Sequence, residues 1–234
     1  EPVETNVNNS ILIDNVNVST LHNIDFQKVI LANDGTDQQT YQVNFENDMT
    51  IDIIIVGGGG GGYNNVINND VGGGGGGGAI LYAKDLQVSS GIYTFKVGRG
   101  GNSNENGFAS EAFGGISNGG QVGRRATNLT TWFGGAGGTF DILSATHTFT
   151  ESHNGGDGGT GSYSTDDTTF TQNGANGPQI NIVDNYYWGG GGGGGGWYGD
   201  LGNGGQGGGA GGGFYNNVAT QSLRLDHGSS AYLY

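Results

Sequence analysis

Aromatic residues that lie beside blocks of glycine are the side chains of this sequence best suited to contact a ligand. The 234-residue chain contains 54 Gly, 3 Trp, 11 Tyr and 10 Phe. Large, rigid rings contribute much of the energy at contact surfaces for sugars and proteins. Rings at these positions would also cover the ends of a glycine-rich scaffold and shield its hydrogen bonds, so two interpretations are open. On the first, the predicted binding residues are Tyr63, Trp132, Tyr163, Tyr186, Tyr187, Trp188, Trp197 and Tyr198.

Catalytic and nucleotide-binding patterns receive no support from the sequence. The pattern Gly-x-Gly-x-x-Gly occurs within the glycine runs, but any long run of glycine satisfies it. Neither a Gly-Lys-Ser/Thr sequence nor a helix follows, so nothing would hold a phosphate group. No Ser, His and Asp residues occur in a context typical of a hydrolase. We therefore predict a protein that is not an enzyme and has no cofactor.

Possible metal ligands occur only as short local groups. The absence of cysteine excludes thiolate sites. Residues 155–160 are similar to a calcium-binding repeat, but Thr160 stands where the repeat requires Asp, and the pattern does not iterate. We expect solvated carboxylates in turns and one exposed polar strand face, and predict no metal site. The groups considered are Asp34 with Asp37, Asp166 with Asp167, and His147, Glu151 and His153.

The charge of the chain limits its partners. Its 7 Lys and Arg against 21 Asp and Glu give a net charge of −14, which argues against a basic face for nucleic acid. No stretch approaches 18 consecutive apolar residues, so we expect no insertion into a membrane. An acidic chain without cysteine suits an exposed, salty or extracellular setting. Possible glycosylation sequons begin at Asn8, Asn17 and Asn128.

Both ends of the chain are predicted to supply β-strands, and helical periodicity is not convincing anywhere. The run 50–56 ends in consecutive apolar residues, which indicates a strand buried on both faces. The predicted strands are 10–13, 28–31, 41–45, 50–56, 79–83, 91–97, 222–225 and 230–234.

Pure glycine runs at 57–62, 72–78 and 189–196 cannot form stable α-helices or good strands. The remaining ordered conformation is the polyproline II helix, which has three residues per turn and a rise of about 3.1 Å per residue. In this conformation the three runs would be roughly 19–25 Å long. Such helices can satisfy one another's peptide groups only when packed side by side. We predict that the pure runs are interior, because any Cβ would push a neighbour away, and that interrupted blocks such as 134–138 and 155–161 lie outside.

The order of these elements resembles a known pattern. An apolar strand entering glycines at 53–57, a second run at 72–78, a strand at 91–101, repeated Gly-Gly blocks and a closing strand resemble the glycine-rich domain of phage tail-fibre tip adhesins and viral surface proteins. The layout also resembles the glycine-rich extracellular region of the anaplastic lymphoma kinase family.

This resemblance implies an all-β fold: a jelly-roll or tumour-necrosis-factor-like β-sandwich with an inserted polyglycine II bundle and no significant α-helix. The resemblance covers residues 50–234, which are predicted to be a glycine-rich domain. Residues 1–49 lie outside it, and their composition predicts a β-rich attachment or pairing segment. By analogy with the adhesins, the loops between glycine helices would form the binding face.

With the resemblance, the expected function is that of a non-enzymatic adhesin or receptor-binding protein of an extracellular or virion surface, which displays aromatic and Asn-rich loops on a rigid polyglycine bundle. Its partners would be a host surface glycan or protein, in a homo-oligomer or a larger fibre. The alternative is a self-assembling structural subunit, because strands of 1–49 could pair with a neighbour's sheet edge. Ice binding is a third possibility, against which the lack of a regular Gly-x-x repeat argues.

Overall fold

The structure, a computed structural model, describes residues 11–13, 16–17, 31, 33–63, 72–125, 131–143, 147–162, 189–191 and 232–233. These residues form strands and irregular segments, with no helix among them. In chain order the strands are β1 (Ile11–Ile13), β2 (Val16–Asn17), β3 (Gln38–Phe45), β4 (Met49–Val56), β5 (Ile80–Val88), β6 (Gly91–Gly98), β7 (Ser110–Ala112), β8 (Gly115–Ser117), β9 (Arg124–Arg125), β10 (Thr131–Phe133), β11 (Phe140–Ile142), β12 (Glu151–His153), β13 (Gly161–Ser162) and β14 (Tyr232–Leu233).

Two antiparallel sheets form the framework. The first has seven strands in the order β11-β8-β7-β6-β3-β1-β2, and the second has four in the order β12-β5-β4-β14. Strand β3, from the N-terminal segment, pairs with β6 over eight residues. The two predicted segments therefore share one sheet.

The predicted strands at 41–45, 50–56, 79–83 and 91–97 are confirmed as β3 to β6, of which β5 continues to Val88. The strand predicted at 10–13 corresponds to β1, and the strand predicted at 230–234 contains β14. The strand predicted at 222–225 and most of that at 28–31 lie outside the described residues.

The hydrophobic core lies between the two sheets. Side chains of β3 and β6 meet those of β4 and β5, and rings of Phe45, Tyr93, Phe95 and Phe113 contact one another at centroid distances of 5.0–6.3 Å. Residues 53–56 of β4 are all buried, as predicted, because alternate residues enter two different apolar clusters. The architecture is a β-sandwich, which confirms the predicted fold class.

The glycine runs form extended rods that continue directly from the strands. Along rod 57–63, the N–H groups of Gly57, Gly60 and Tyr63 donate to carbonyls of the antiparallel rod 72–79 at 2.7–3.0 Å. This spacing of three residues is the helical repeat of polyproline II. The rods are therefore polyglycine II helices, as predicted.

Each interior rod has several neighbours. The N–H groups of Gly58 and Gly61 donate to the returning segment 105–108, and the carbonyls of the same two glycines accept from segment 120–123. Rod 57–63 thus uses different edges of its helix to satisfy different neighbours, which is what buried peptide groups require.

The distribution of side chains follows this packing. Residues 57–62 and 72–78 are buried throughout, and so are the three described residues of the third pure run, 189–191. Each interrupted block has one exposed residue, Ala136 in 134–138 and Asp157 in 155–161, and its other residues are buried or partly buried. The sequence prediction of interior pure runs and outer interrupted blocks is confirmed for the described residues.

Interior glycines leave no room for a side chain. A Cβ built on Gly76 would collide with the backbone carbonyl oxygens of Ala136 and Gly135, and one on Gly60 with that of Gln121. Because these obstacles are backbone atoms in neighbouring rods, no rotamer change can relieve the clash. The rods approach closely only because Cβ is absent.

We expect Gly76→Ala to lower the free energy of unfolding by about 3 kcal/mol or more, because neighbouring rods must separate and lose hydrogen bonds. Urea unfolding followed by circular dichroism measures the change. The matched control is Ala136→Ser, an exposed position on an outer rod, which should stay within about 0.5 kcal/mol of the wild type. Equal stability of Gly76→Ala and the wild type would contradict the packing described.

Candidate functional site

The rods bring several segments together at the end of the bundle that faces away from the sandwich. Rod 57–63 leaves β4 at Gly57 and ends at Tyr63, whose N–H donates to the Gly73 carbonyl at 3.0 Å. Beside it, Asn104 donates to Gly62, and Gly123 donates to Gly61, each at 3.0 Å. We call this surface the far end.

A small three-stranded sheet lies at the far end. Its order is β13-β10-β9, and all pairs are antiparallel. Strand β9 follows rod segment 118–123 without interruption, and β10 leads directly into the outer rod 134–138. The sheet therefore lies where the chain leaves one rod and turns back to enter the next.

Two of the predicted binding residues lie in this region. Tyr63 ends its rod and is partly exposed. Trp132 occupies the centre of β10, opposite Arg125 on one side and Gly161 on the other. Six predicted binding residues lie outside the described residues, together with other candidates: Tyr163, Tyr186, Tyr187, Trp188, Trp197, Tyr198, Asn8, Asn128, Asp166 and Asp167.

Two exposed residues of the far-end sheet were not predicted as site residues. Phe133 is 54% exposed, and it stands directly opposite the exposed Arg124. The Arg124 guanidinium donates through Nη2 to Oε1 of Gln121 at 2.8 Å. A recognisable signal was present, since Arg124 and Arg125 are adjacent in a chain with only seven Lys and Arg.

A second charged group fixes the rod that follows β6. Arg99, the first residue after this strand, pairs through Nη2 with Asp37 at 2.7 Å and with Glu105 at 2.8 Å. Its guanidinium carbon lies 4.6 Å from the ring centroid of Phe108. Arg99 thus connects the segment that precedes β3 to both limbs of the hairpin 99–108.

The protonation states in this group are strongly biased toward the charged forms. Hydrogen bonds from the Arg99 side chain and from the Asn102 backbone lower the pKa of Glu105 from 4.5 to about 2. The reciprocal hydrogen bond from Glu105 is the main cause that raises the pKa of Arg99 further above its ordinary value. We assign this group a structural role, because both limbs of the hairpin depend on it.

The histidines considered as metal ligands are separated. A ring nitrogen of His153 lies 3.1 Å from Oε2 of Glu151, whereas the ring of His147 packs on Phe113 at a centroid distance of 4.9 Å. Within the described ranges, no three metal-ligating side chains are grouped as a metal site would require. The same ranges contain no helix with the length and apolar character of a membrane span.

The fold and the far-end surface together define an all-β protein in which a β-sandwich carries a bundle of polyglycine II rods. Residues 36–181, more than half of the chain, match the family model described as a glycine-rich domain. The chain therefore belongs to this glycine-rich domain family. A search of curated proteins found no match to the sequence.

We expect Glu105→Gln to remove part of the acid dependence of stability. Because folding lowers the pKa of Glu105, its contribution is complete above about pH 4.5 and is lost as the pH falls toward about 2. The pair is partly exposed, so we expect a loss of about 1 kcal/mol at pH 7 after allowing for screening. Urea midpoints measured from pH 7 to pH 2 should converge for the variant and the wild type at the acid end.

The control for this measurement is Glu46→Gln, which removes an exposed carboxylate that has no ion pair with a described residue. Its urea midpoint should follow that of the wild type closely. A constant difference between Glu105→Gln and the wild type across the whole pH range would contradict the role given to the ionised carboxylate.

Proposed function

We propose that this protein is a non-enzymatic adhesin or receptor-binding protein of an extracellular or virion surface. The polyglycine II bundle holds the far end rigid, and the connecting segments there contact a host glycan or protein. The observation that carries the proposal is the convergence of Tyr63, the turn at 102–105 and the β9-β10-β13 sheet on one end of the bundle.

Rigidity is the first support for this function. The rods are joined by backbone hydrogen bonds in several directions, so the residues at their ends are held at fixed separations. A pre-ordered surface loses less conformational entropy on binding than a flexible one. Contact residues on such a platform can therefore bind with useful affinity even when few of them are present.

Composition at the far end is the second support. Segments 64–71 and 126–130 connect rods or strands that end there, and the segment after β13 begins with Tyr163. These segments belong to or border the aromatic and Asn-rich stretches of the sequence. Loops carried on a rigid scaffold are a common location of binding residues.

The proposal includes the resemblance to phage tail-fibre tip adhesins and viral surface proteins. It also gives residues 1–49 an attachment or pairing role, because β1 joins the first sheet through β3. In this arrangement the sandwich faces the rest of the fibre or virion, and the far end faces the host. The protein would act as a homo-oligomer or as part of a larger fibre.

We expect the double variant Tyr63→Ala, Trp132→Ala, which removes two predicted binding residues of the far end, to lose binding to host cells by about tenfold or more, because aromatic side chains dominate many interfaces. Flow cytometry with labelled protein measures binding, and thermal unfolding checks the fold. The control is Ile92→Ala, which removes an exposed apolar side chain from β6 of the sandwich. Unchanged binding by the double variant would assign these rings to covering the bundle.

One observation favours the alternative function, a self-assembling structural subunit. Strand β11 is an edge strand of the seven-stranded sheet. Its last residue, Ile142, is 48% exposed, and the following residue, Leu143, is 74% exposed. An edge strand with exposed apolar side chains can pair with a strand of another copy.

If the protein assembles through this edge, Leu143→Lys should abolish the concentration-dependent polymers, because a charge would be buried at each contact. Sedimentation velocity and electron microscopy of the purified protein measure assembly. Ile92→Lys is the matched control, since Ile92 is 70% exposed on a strand paired within the same sheet. A wild-type protein that stays discrete at every concentration would rule out the subunit function.

A further inference from the structure

We propose that Arg124 and Phe133 form a binding site for an acidic sugar, one that carries a carboxylate or sulfate group. This inference deepens the proposed function and depends on it, because it names the chemical class of ligand contacted at the far end. It stands on three observations: the charge partners of Arg124, the residue that holds its side chain, and the aromatic residue opposite it.

Arg124 is a cation without a carboxylate partner in the described part of the chain. Arg99 pairs there with two carboxylates, and Lys96 pairs with Glu111 at 2.9 Å. Arg124 hydrogen-bonds instead to the neutral Gln121. In a chain of net charge −14, a cation that is left exposed and without such a pair is available to an external anion.

Gln121 holds the guanidinium in place without neutralising it. Its Oε1 accepts one N–H of Arg124 at 2.8 Å, whereas a guanidinium has five N–H donors. The remaining donors retain the fork geometry that binds carboxylate or sulfate oxygens in pairs. A side chain already oriented by a neighbour loses less entropy when the ligand binds.

Phe133 supplies the apolar half of the site. In the antiparallel pair of β9 and β10 it is directly opposite Arg124, so both residues are on the same face of the sheet. With 54% of its surface exposed, its ring offers an apolar area beside the cation. A sugar ring presents C–H groups on one face and its acidic substituent at the edge, which matches an aromatic surface next to a guanidinium.

The overall charge adds selectivity for this location. Acidic sugars are repelled by most of a surface with 21 Asp and Glu. The adjacent pair Arg124-Arg125 concentrates two of the seven Lys and Arg at the far end. This pair gives the far end a local positive charge that attracts an acidic ligand.

The test uses the full chain and four probes: sialylated lactose, a uronate oligosaccharide, a sulfated disaccharide and neutral lactose. Isothermal titration calorimetry at low and high salt measures affinity for the wild type, Arg124→Gln and Phe133→Ala. Lys84→Gln is the charge control, because Lys84 is exposed on β5 and has no ion pair with a described residue. Ile92→Ala is the apolar control, and thermal unfolding confirms that every variant folds.

We expect at least one acidic probe to bind about tenfold or more tightly than lactose, with affinity that falls as salt rises. Arg124→Gln and Phe133→Ala should each weaken this binding by about tenfold, and the two controls should leave it unchanged. Preference between the carboxylate and sulfate probes identifies the anion.

Equal affinity for lactose and the acidic probes, wild-type affinity in Arg124→Gln, or binding of none of the four sugars would overturn the inference. Host-cell binding measured in parallel separates this result from the proposed function. Cells that still bind the wild type would leave the adhesin function standing with another ligand, whereas a protein that binds no cells would remove both.

Discussion

The structure depends on the satisfaction of buried peptide groups by neighbouring rods. A strand such as β4 is stabilised by hydrogen bonds to neighbouring strands and by side chains that exclude water. An interior rod has no side chains, so only its backbone can make stabilising contacts. Its N–H and C=O groups must meet those of other rods, and they do so every third residue. Ordering glycine carries the largest backbone entropy loss of any residue. A single rod therefore cannot be stable, and the array forms cooperatively with the sandwich that supports it.

The sandwich sets the starting point of each rod. Strand β4 passes into its rod at Gly57, β6 at Arg99 and β8 at Asn118, with no intervening loop. Sheet register thus fixes the relative heights of the rods, so that their hydrogen-bonding groups face one another from the first turn. The Arg99 group reinforces this alignment, because its ion pairs join the start of one limb of a hairpin to the other. Side-chain packing and rod packing are consequently parts of one folding unit.

Much of this architecture was predictable because its cause is local in sequence. A run of six or seven glycines has few ordered conformations, and the absence of Cβ dictates that it lies inside, as found for 57–62 and 72–78. The apolar run of β4 likewise indicated a doubly buried strand. The far-end sheet was not predicted, because β9 and β13 have only two residues each, too few for a recognisable strand pattern, and both exist through pairing with β10. The position of Arg124 opposite Phe133 depends on the register between β9 and β10, which residue composition does not specify.

The same constraint that stabilises the bundle also determines where recognition can occur. Inside the rods a Cβ is excluded by backbone carbonyls, as at Gly76, so interior positions cannot vary without loss of stability. Side chains are accommodated on the outer edges of the peripheral rods and at the rod ends. Only at the ends does the chain turn, which allows connecting segments of different length and composition. The far end is therefore the part of the scaffold where new contacts, such as an exposed ring beside a cation, arise without disturbing the hydrogen bonds that hold the rods together.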